Sequence, residues 1–333
     1  SLSLLLLIFA ILVILIVLPY WLLERTKTMY TPFSSTRKIE FPTHFPNPGE
    51  TISHSFSKKN VESEKKENFH IVSLNMERGK QMDKILLQLQ KLDPDFILLQ
   101  EVDYFSQRGQ RFDQAGELAL RLQMNSFWVC QVIIKEESKH PDEMNNSHHG
   151  CEGNAILSKY PFTETKGIFL QCQQLIRPGH RNFKKHVEAF GIAKISEEKS
   201  IALCSVHLDP HFTGVKGRGK QFTELAAQLV PYMKEYPMII CGDFNTVCCG
   251  IARLNIPSLS PDLASIFGSL GSPESLQFQN KTVTSVNELI EKECGKKAQL
   301  EDPFDKVKDT TFTGMSGLFN GKLDWCLLSK YFT

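Results

Sequence analysis

Five stretches of this 333-residue chain share one format, an apolar run that closes in a carboxylate, an amide or an imidazole. They are SLN with Asn75, LLQE with Glu101, SVHLD with His207 and Asp209, CGDFN with Asp243 and Asn245, and LDW with Asp324. Successive side chains of a strand point to opposite faces, so Asp243 and Asn245 share a face, as do His207 and Asp209. Polar ends of several strands can therefore meet on one rim. Carboxylates suit a hard cation such as Mg²⁺, which takes one or two of them and keeps water and phosphate oxygens elsewhere. Mn²⁺ accepts the same donors. Imidazole and amide groups can hydrogen-bond a phosphoryl group as its charge redistributes.

Each stretch alone has an ordinary structural reading. An Asp in a Gly-Asp pair after a strand serves turn chemistry. A single His in SVHL is satisfied in many cores. Glu101 can be solvated at its strand end, and Asn75 can cap the helix that follows it. Arg108, Arg111, His180 and Arg181 can read substrate from loops or simply be solvated charge.

The elements that must position these residues are legible from periodicity. Phe69–Asn75 and Asp95–Glu101 read as strands, the second buried and ending in its acid. Between them Met82, Ile85, Leu86, Leu89 and Leu92 recur at helical spacing over Lys80–Leu92. A second helix opens near Asp113 and runs through Leu118–Met124. Strands are expected at about 127–134, 154–158, 188–195 and 201–207, a helix at about 217–234, and strands at Met238–Cys241 and Lys322–Ser329. Helices among early strands followed by runs of strands predict an α+β fold, with two packed, mainly antiparallel sheets and helices outside them.

Composition narrows the function classes. Lys+Arg number 38 and Asp+Glu 37, a net charge of +1, so no global basic field exists to hold nucleic acid by counterion release. Nine cysteines without a CxxC pair fit neither a disulfide framework nor a zinc ribbon, and adjacent Cys248-Cys249 does not suit tetrahedral metal geometry.

The N-terminus is different in kind. Leu2–Leu23 carries no charge, and a helix of that length rises about 33 Å, against a hydrocarbon core of roughly 30 Å. Tyr20 and Trp21 sit where interfacial aromatics belong, with Arg25 and Lys27 after them. The expectation is a transmembrane anchor at 1–23, with a cleaved leader as the alternative. The basic C-terminal flank places the remainder in the cytosol, so a single-pass membrane protein is expected. Residues 24–68, with prolines at 32, 42, 46 and 48 and a mixed-charge run Lys58–Asn68, are expected to be a flexible linker. One domain then runs from 69 to 333.

The motifs SLNMERG (73–79), LLQEVD (98–103), GNAILSKYPF (153–162), SVHLDP with Arg218 and Gln221 downstream (205–221), CGDFNT (241–246) and KLDWCLLS (322–329) occur in this order. On them the chain resembles the endonuclease/exonuclease/phosphatase superfamily, the divalent-metal phosphoesterases related to DNase I, apurinic endonucleases, neutral sphingomyelinases and inositol polyphosphate 5-phosphatases. The resemblance spans about residues 70–333 and implies an α/β/β/α four-layer sandwich. It implies Mg²⁺ as the metal, with Glu101 as its principal ligand and Asn75 beside it. By the same likeness Asp243 orients or activates the attacking water and Asn245 holds a phosphate oxygen. His207 hydrogen-bonds the phosphoryl group, and Asp324 orients a catalytic histidine or supports the metal. Asn154 is expected at the edge of the site as a substrate-binding residue, with a turn role as its alternative.

The superfamily pattern closes with a Ser-Asp-His strand, whereas this sequence ends at Tyr331-Phe332-Thr333. The expectation is a chain cut before its last strand and therefore inactive as it stands. The function expected of the parent is a membrane-tethered, Mg²⁺-dependent phosphodiesterase or phosphatase, with a lipid or inositol phosphoester as the sterically natural substrate. A nuclease and a non-catalytic membrane scaffold on the same fold are the alternatives. No protein partner is indicated.

Overall fold

The computed structural model describes residues 33, 42–58, 68–134, 150–170, 186–209, 214–246, 253–254, 274–306, 309, 311–314 and 319–332. The apolar run Leu2–Leu23, His180, Arg181 and Cys248-Cys249 lie outside them. Among the described residues, no helix is long and apolar enough to cross a membrane.

Two sheets carry the fold. The first contains β1 (Thr51–Ser55), β2 (Ile71–Asn75), β3 (Phe96–Tyr104), β4 (Asn125–Ile134) and β5 (Gly150–Ser158), in the order β1-β4-β5-β3-β2. Only β2 and β3 run parallel. The second contains β6 (Phe162–Leu170), β7 (His186–Lys194), β8 (Ser200–His207), β9 (Met238–Asp243), β11 (Leu300–Glu301) and β14 (Asp324–Ser329), in the order β11-β14-β9-β8-β7-β6. Here only β8 and β9 are parallel. A small third sheet joins β10 (Arg253–Leu254), β12 (Phe312–Gly314) and β13 (Phe319–Gly321).

Strand alternation divides the apolar residues among three cores, and these define four layers. Phe96, Leu98, Phe127, Val129, Leu203, Ile239 and Cys241 meet between the two main sheets. The opposite face of the first sheet, with Ile97, Leu99 and Trp128, packs on helices α1 (Met82–Leu92) and α2 (Gln114–Leu122). In α1 the buried Met82, Leu86 and Leu89 follow the helical period. The outer face of the second sheet, with Phe190, Cys204, Met238 and Ile240, packs on α3 (Gly214–Met233) and α5 (Thr284–Cys294). A short helix α4 (Glu274–Gln277) and a π turn, Phe278–Val283, lead into α5. Burying each large apolar side chain contributes about 1.5–3 kcal/mol, and the otherwise apolar sheet–sheet layer also buries a 2.9 Å hydrogen bond from Gln100 Nε2 to Ser205 Oγ. The fold is an α+β four-layer sandwich.

Local details differ from the expectations. The helix at Asp113 is capped as anticipated, with the carboxylate accepting from Gly116 N at 2.8 Å. The strand expected to end at Glu101 instead continues to Tyr104, because Glu101 takes a left-handed backbone (φ 52°) inside a bulge. The segment 24–68 is not wholly a linker: β1 pairs with β4 from Thr51↔Val129 to Ser55↔Asn125, so packed structure begins before Phe69. β6 and the helical stretch from Glu274 also carry no expectation from the periodicity.

Candidate active site

The second sheet sets three polar residues in one row. Register places His207 of β8 opposite Asp243 of β9, and Asp243 opposite Asp324 of β14. Residues in register on neighbouring strands project to the same face, here the face toward the first sheet. Gly242 makes the β8–β9 approach feasible. Its φ is +154°, and a Cβ there would stand 1.9 Å from the Val206 carbonyl oxygen.

The first sheet supplies the opposing groups. β3 pairs Leu99 with Ala155 and Val102 with Gly153, leaving Gln100 and Glu101 against Asn154 alone. This two-against-one bulge re-aims Glu101 out of the apolar alternation. Asn75, in register with Gln100, then joins the sheets. Its Nδ2 donates to Glu101 Oε1 at 3.2 Å and to Asp243 Oδ2 at 3.1 Å. His207 Nε2 lies 3.9 Å from Glu101 Oε1. Glu101, Asn75, Asp243 and His207 therefore converge, and Asp324 adjoins them by register.

A further layer fixes this cluster from behind. Asn245 (φ 51°) turns the chain after β9, its backbone N–H donating to Asp243 Oδ1 at 2.8 Å and its side-chain Nδ2 to Leu208 O at 2.9 Å. Asn154 lies within β5 rather than in a turn, is fully buried, and donates to Glu188 Oε2 at 2.9 Å. The same Glu188 oxygen accepts from the His207 backbone N–H at 2.9 Å. Asn154 thus reaches the cluster through Glu188. Gln221 Oε1 accepts from Asp209 N at 3.1 Å and Arg218 donates to Asp209 O at 3.0 Å, so both brace the loop after His207. Arg218 is itself buried against Glu274.

Burial raises the Asp243 carboxyl above the ordinary range, and neighbouring Asp324 adds to the effect, while His207 and the Asn75 and Asn245 donors oppose it. Asp324 is also raised by burial, against the Thr311 contact and Lys322. Glu101 Oε2 is buried and accepts no hydrogen bond, though Arg78 Nη1 approaches it to 3.2 Å. The ion pair with Arg78 balances part of this charge, and the oxygen keeps lone pairs with which it could meet a second cation.

Among the described residues, no three His, Cys, Asp or Glu side chains form a cage for a metal ion. A hydrated Mg²⁺ does not require one, since one or two carboxylates suffice. Glu101, with Asp243 across the Asn75 bridge, fits that requirement. Asn75 itself turns Nδ2 to the carboxylates and Oδ1 to the Glu77 N–H at 2.9 Å, so here it spaces the acids.

Two residues around the cluster were not among the site residues expected from the sequence. Glu188 sits mid-strand in β7 as an acid among apolar neighbours, and that oddity was its only trace. Arg78 donates through Nε to Glu152 Oε2 at 3.0 Å as well as approaching Glu101. Arg108, expected to be a solvated or substrate-reading loop charge, makes two 2.9 Å bonds to Asp103 and a second contact to Glu152. Arg111 stands on the same turn with a left-handed backbone (φ 56°).

Solved structures of similar shape include an endonuclease/exonuclease/phosphatase family protein from Leptotrichia buccalis (14% identity, 78% of this chain and 87% of that one, TM-score 0.45). They also include the human Nocturnin catalytic domain with bound sulfate (17%, 85% and 86%, TM-score 0.45). A third is a mannosyl-6-phosphatase from Bacteroides thetaiotaomicron (16%, 79% and 85%, TM-score 0.46). No curated protein matches the chain. Residues 72–333, which hold every residue of the site, match the endonuclease/exonuclease/phosphatase family, and the chain belongs to it.

Proposed function

We propose that the protein is a Mg²⁺-dependent phosphoester hydrolase tethered to a membrane by its N-terminal apolar run and acting on a lipid phosphoester. The observation that carries this reading is the convergence of Glu101, Asn75, Asp243 and His207 across two sheet rims. A bound Mg²⁺ would supply Lewis-acid polarisation of a phosphoryl oxygen, and Mn²⁺ could replace it. Glu101 would hold it, with Asp243 beside it.

The chain's own groups then do the positioning. Asp243, with its carboxyl raised by burial, is suited to take a proton from the attacking water. His207 stands ready to hydrogen-bond the phosphoryl group or the departing oxygen. Asn245 keeps Asp243 and the His207–Leu208 segment in register with one another. Asp324 adds negative potential beside Asp243. The uncharged Leu2–Leu23 run and the net charge of +1 favour a lipid phosphoester over a nucleic acid.

The test is a phosphoester panel comprising sphingomyelin, phosphoinositides, DNA, RNA and bis-p-nitrophenyl phosphate. It is run on the full-length protein with and without EDTA. Hydrolysis of a lipid phosphoester that EDTA abolishes and Mg²⁺ restores is the expected result. Metal-independent hydrolysis would refute the metal assignment, and nucleic acid as the preferred substrate would refute the lipid one.

A further inference from the structure

Beside the site, five side chains form a line of alternating charge. Asp103 is fully buried and bound by Arg108 through two hydrogen bonds of 2.9 Å. Arg108 also contacts Glu152, which accepts from Arg78 Nε at 3.0 Å. Arg78 Nη1 stands 3.2 Å from Glu101 Oε2. The line therefore runs from the core of the first sheet to the carboxylate at the centre of the site, and Arg78 is its last cation.

The backbone around Arg78 is built to hold this position. Glu77 and Arg78 both have positive φ, 45° and 63°, a conformation that is unfavourable for residues bearing a Cβ. The Arg78 carbonyl accepts from Gln114 Nε2 at 2.9 Å, which ties the turn to α2. At Gly79 (φ +73°) a Cβ would lie 2.3 Å from the Gln114 amide, so a larger residue would be strained and would push away the side chain that holds the Arg78 carbonyl. The effect of this turn is to point a guanidinium into the rim.

From this geometry we infer that Arg78 is a substrate-positioning residue whose guanidinium takes an oxygen of the phosphoryl group beside Glu101. The inference rests on the phosphoester reading of the site. A guanidinium has five N–H donors in a rigid fork. Nε is committed to Glu152, and Nη1 approaches Glu101 without making a hydrogen bond to it. No bond engages Nη2 among the described residues, and the side chain is 34% exposed, so donors of the fork stay within reach of solvent beside Glu101. An ammonium could balance the charge of Glu101 and Glu152, but as a point charge it lacks the planar fork that holds a carboxylate and a phosphoryl oxygen in fixed directions.

A purely structural role makes a different forecast. If Arg78 only supports Glu101, its removal should weaken cation binding. If it binds phosphate, its removal should leave cation binding intact or tighten it, because a competing positive charge has left. The 333-residue protein in detergent is titrated with Mn²⁺ by calorimetry and with inorganic phosphate by phosphorus NMR, alongside Arg78→Gln, Arg78→Lys and Glu101→Gln, each checked by thermal melting. Arg78→Gln should weaken phosphate binding by about tenfold or more and bind Mn²⁺ at least as tightly as wild type. Arg78→Lys should show an intermediate loss, and it serves alone should the glutamine variant not fold. Phosphate binding unchanged in the variants, absent in wild type, or lost only in step with Mn²⁺ binding would overturn the inference. Mn²⁺ affinity unchanged in Glu101→Gln would instead refute the metal reading of the site, independently of the phosphate titrations.

Discussion

Asn75 Nδ2 and Asp243 Oδ2 lie 3.1 Å apart, and this hydrogen bond joins the rims of two different sheets. The same nitrogen holds Glu101 at 3.2 Å, so one amide keeps two acids at a fixed separation. Asn75→Ala leaves both acids buried or half-buried without their common donor. The expected outcome is a loss of about 10²-fold in kcat/KM on bis-p-nitrophenyl phosphate, as when a positioned donor is removed from other sites. Circular dichroism should be unchanged. A loss below threefold would mean the bridge is incidental.

Asp243 opposes function to stability. Its folded carboxyl is raised first by burial and further by Asp324. A raised carboxyl favours folding below its unfolded pKa, and that contribution is lost as pH rises through the folded pKa. In metal-free protein the contribution of this residue should therefore shrink as pH climbs from the acid side through the carboxylate range. Asp243→Asn should abolish hydrolysis. Its amide can accept only one of the two bonds from Asn75 and Asn245, so the gain from removing a buried charge is read as a change of about 0.5–2 kcal/mol in relative metal-free stability between pH 4 and pH 7. Denaturant melts at pH 4 and 7 check the sign: the gain must be larger at pH 7.

Glu101→Gln removes the carboxylate that the bulge re-aims. It should lower activity by orders of magnitude and weaken Mg²⁺ binding in calorimetry, with the bulge retained because its register is set by Leu99↔Ala155 and Val102↔Gly153. Activity within tenfold of wild type would move the metal elsewhere.

The strand ends were legible in the sequence because each joins a strong apolar period to an abrupt polar residue, as in IICGDFN. That local contrast needs no knowledge of the partner strand. The row His207–Asp243–Asp324 was only partly legible, since it depends on register between strands far apart in sequence. Glu101 looked like a strand end because a bulge breaks alternation without breaking the strand. Arg78 was opaque for the same reason as Glu188: each is defined by contacts with residues more than ten positions away. β1 escaped notice because TISHS is a short edge strand with one aliphatic side chain.

The cysteines should behave as core residues. Among the described residues, Cys130, Cys151, Cys204, Cys241, Cys294 and Cys326 are free. Burial, with Glu188 nearby, pushes the Cys204 thiol well up. The Cys326 thiol, 3.0 Å away, and burial do the same for Cys241. A thiol probe at pH 8 should leave Cys204 and Cys241 unlabelled in native protein, as thiolates are the reactive form. All nine cysteines should react after denaturation under alkylation-trapped conditions. Disulfides recovered by mass spectrometry would contradict a cytosolic domain.

The N-terminal boundary of the domain can be tested by two deletions. Removing residues 1–68 cuts at the boundary that periodicity suggested, but it also removes β1 and its five-residue pairing with β4. With β1 go Phe45, Ile52 and Phe56, which pack on the core beneath α1 and α2. Also lost is the 2.6 Å contact of His54 Nε2 with Asp113 Oδ2, the carboxylate group that caps α2. Phe33, stacked on Phe112 with Arg121 over its ring, goes as well. At about 1.5–3 kcal/mol for each fully buried large apolar side chain, and less for these half-buried ones, the total rivals the 5–15 kcal/mol stability of an ordinary domain. The newly exposed edge of β4 would invite aggregation. Deleting only residues 1–32 spares all of these contacts while removing the whole Leu2–Leu23 run. The shorter deletion should therefore be folded and absent from the carbonate-washed membrane pellet, whereas the longer one should be insoluble or melt at least 10 °C lower. Equal melting temperatures for the two proteins would show that β1 contributes nothing, and a membrane-bound 1–32 deletion would place an anchor outside the apolar run.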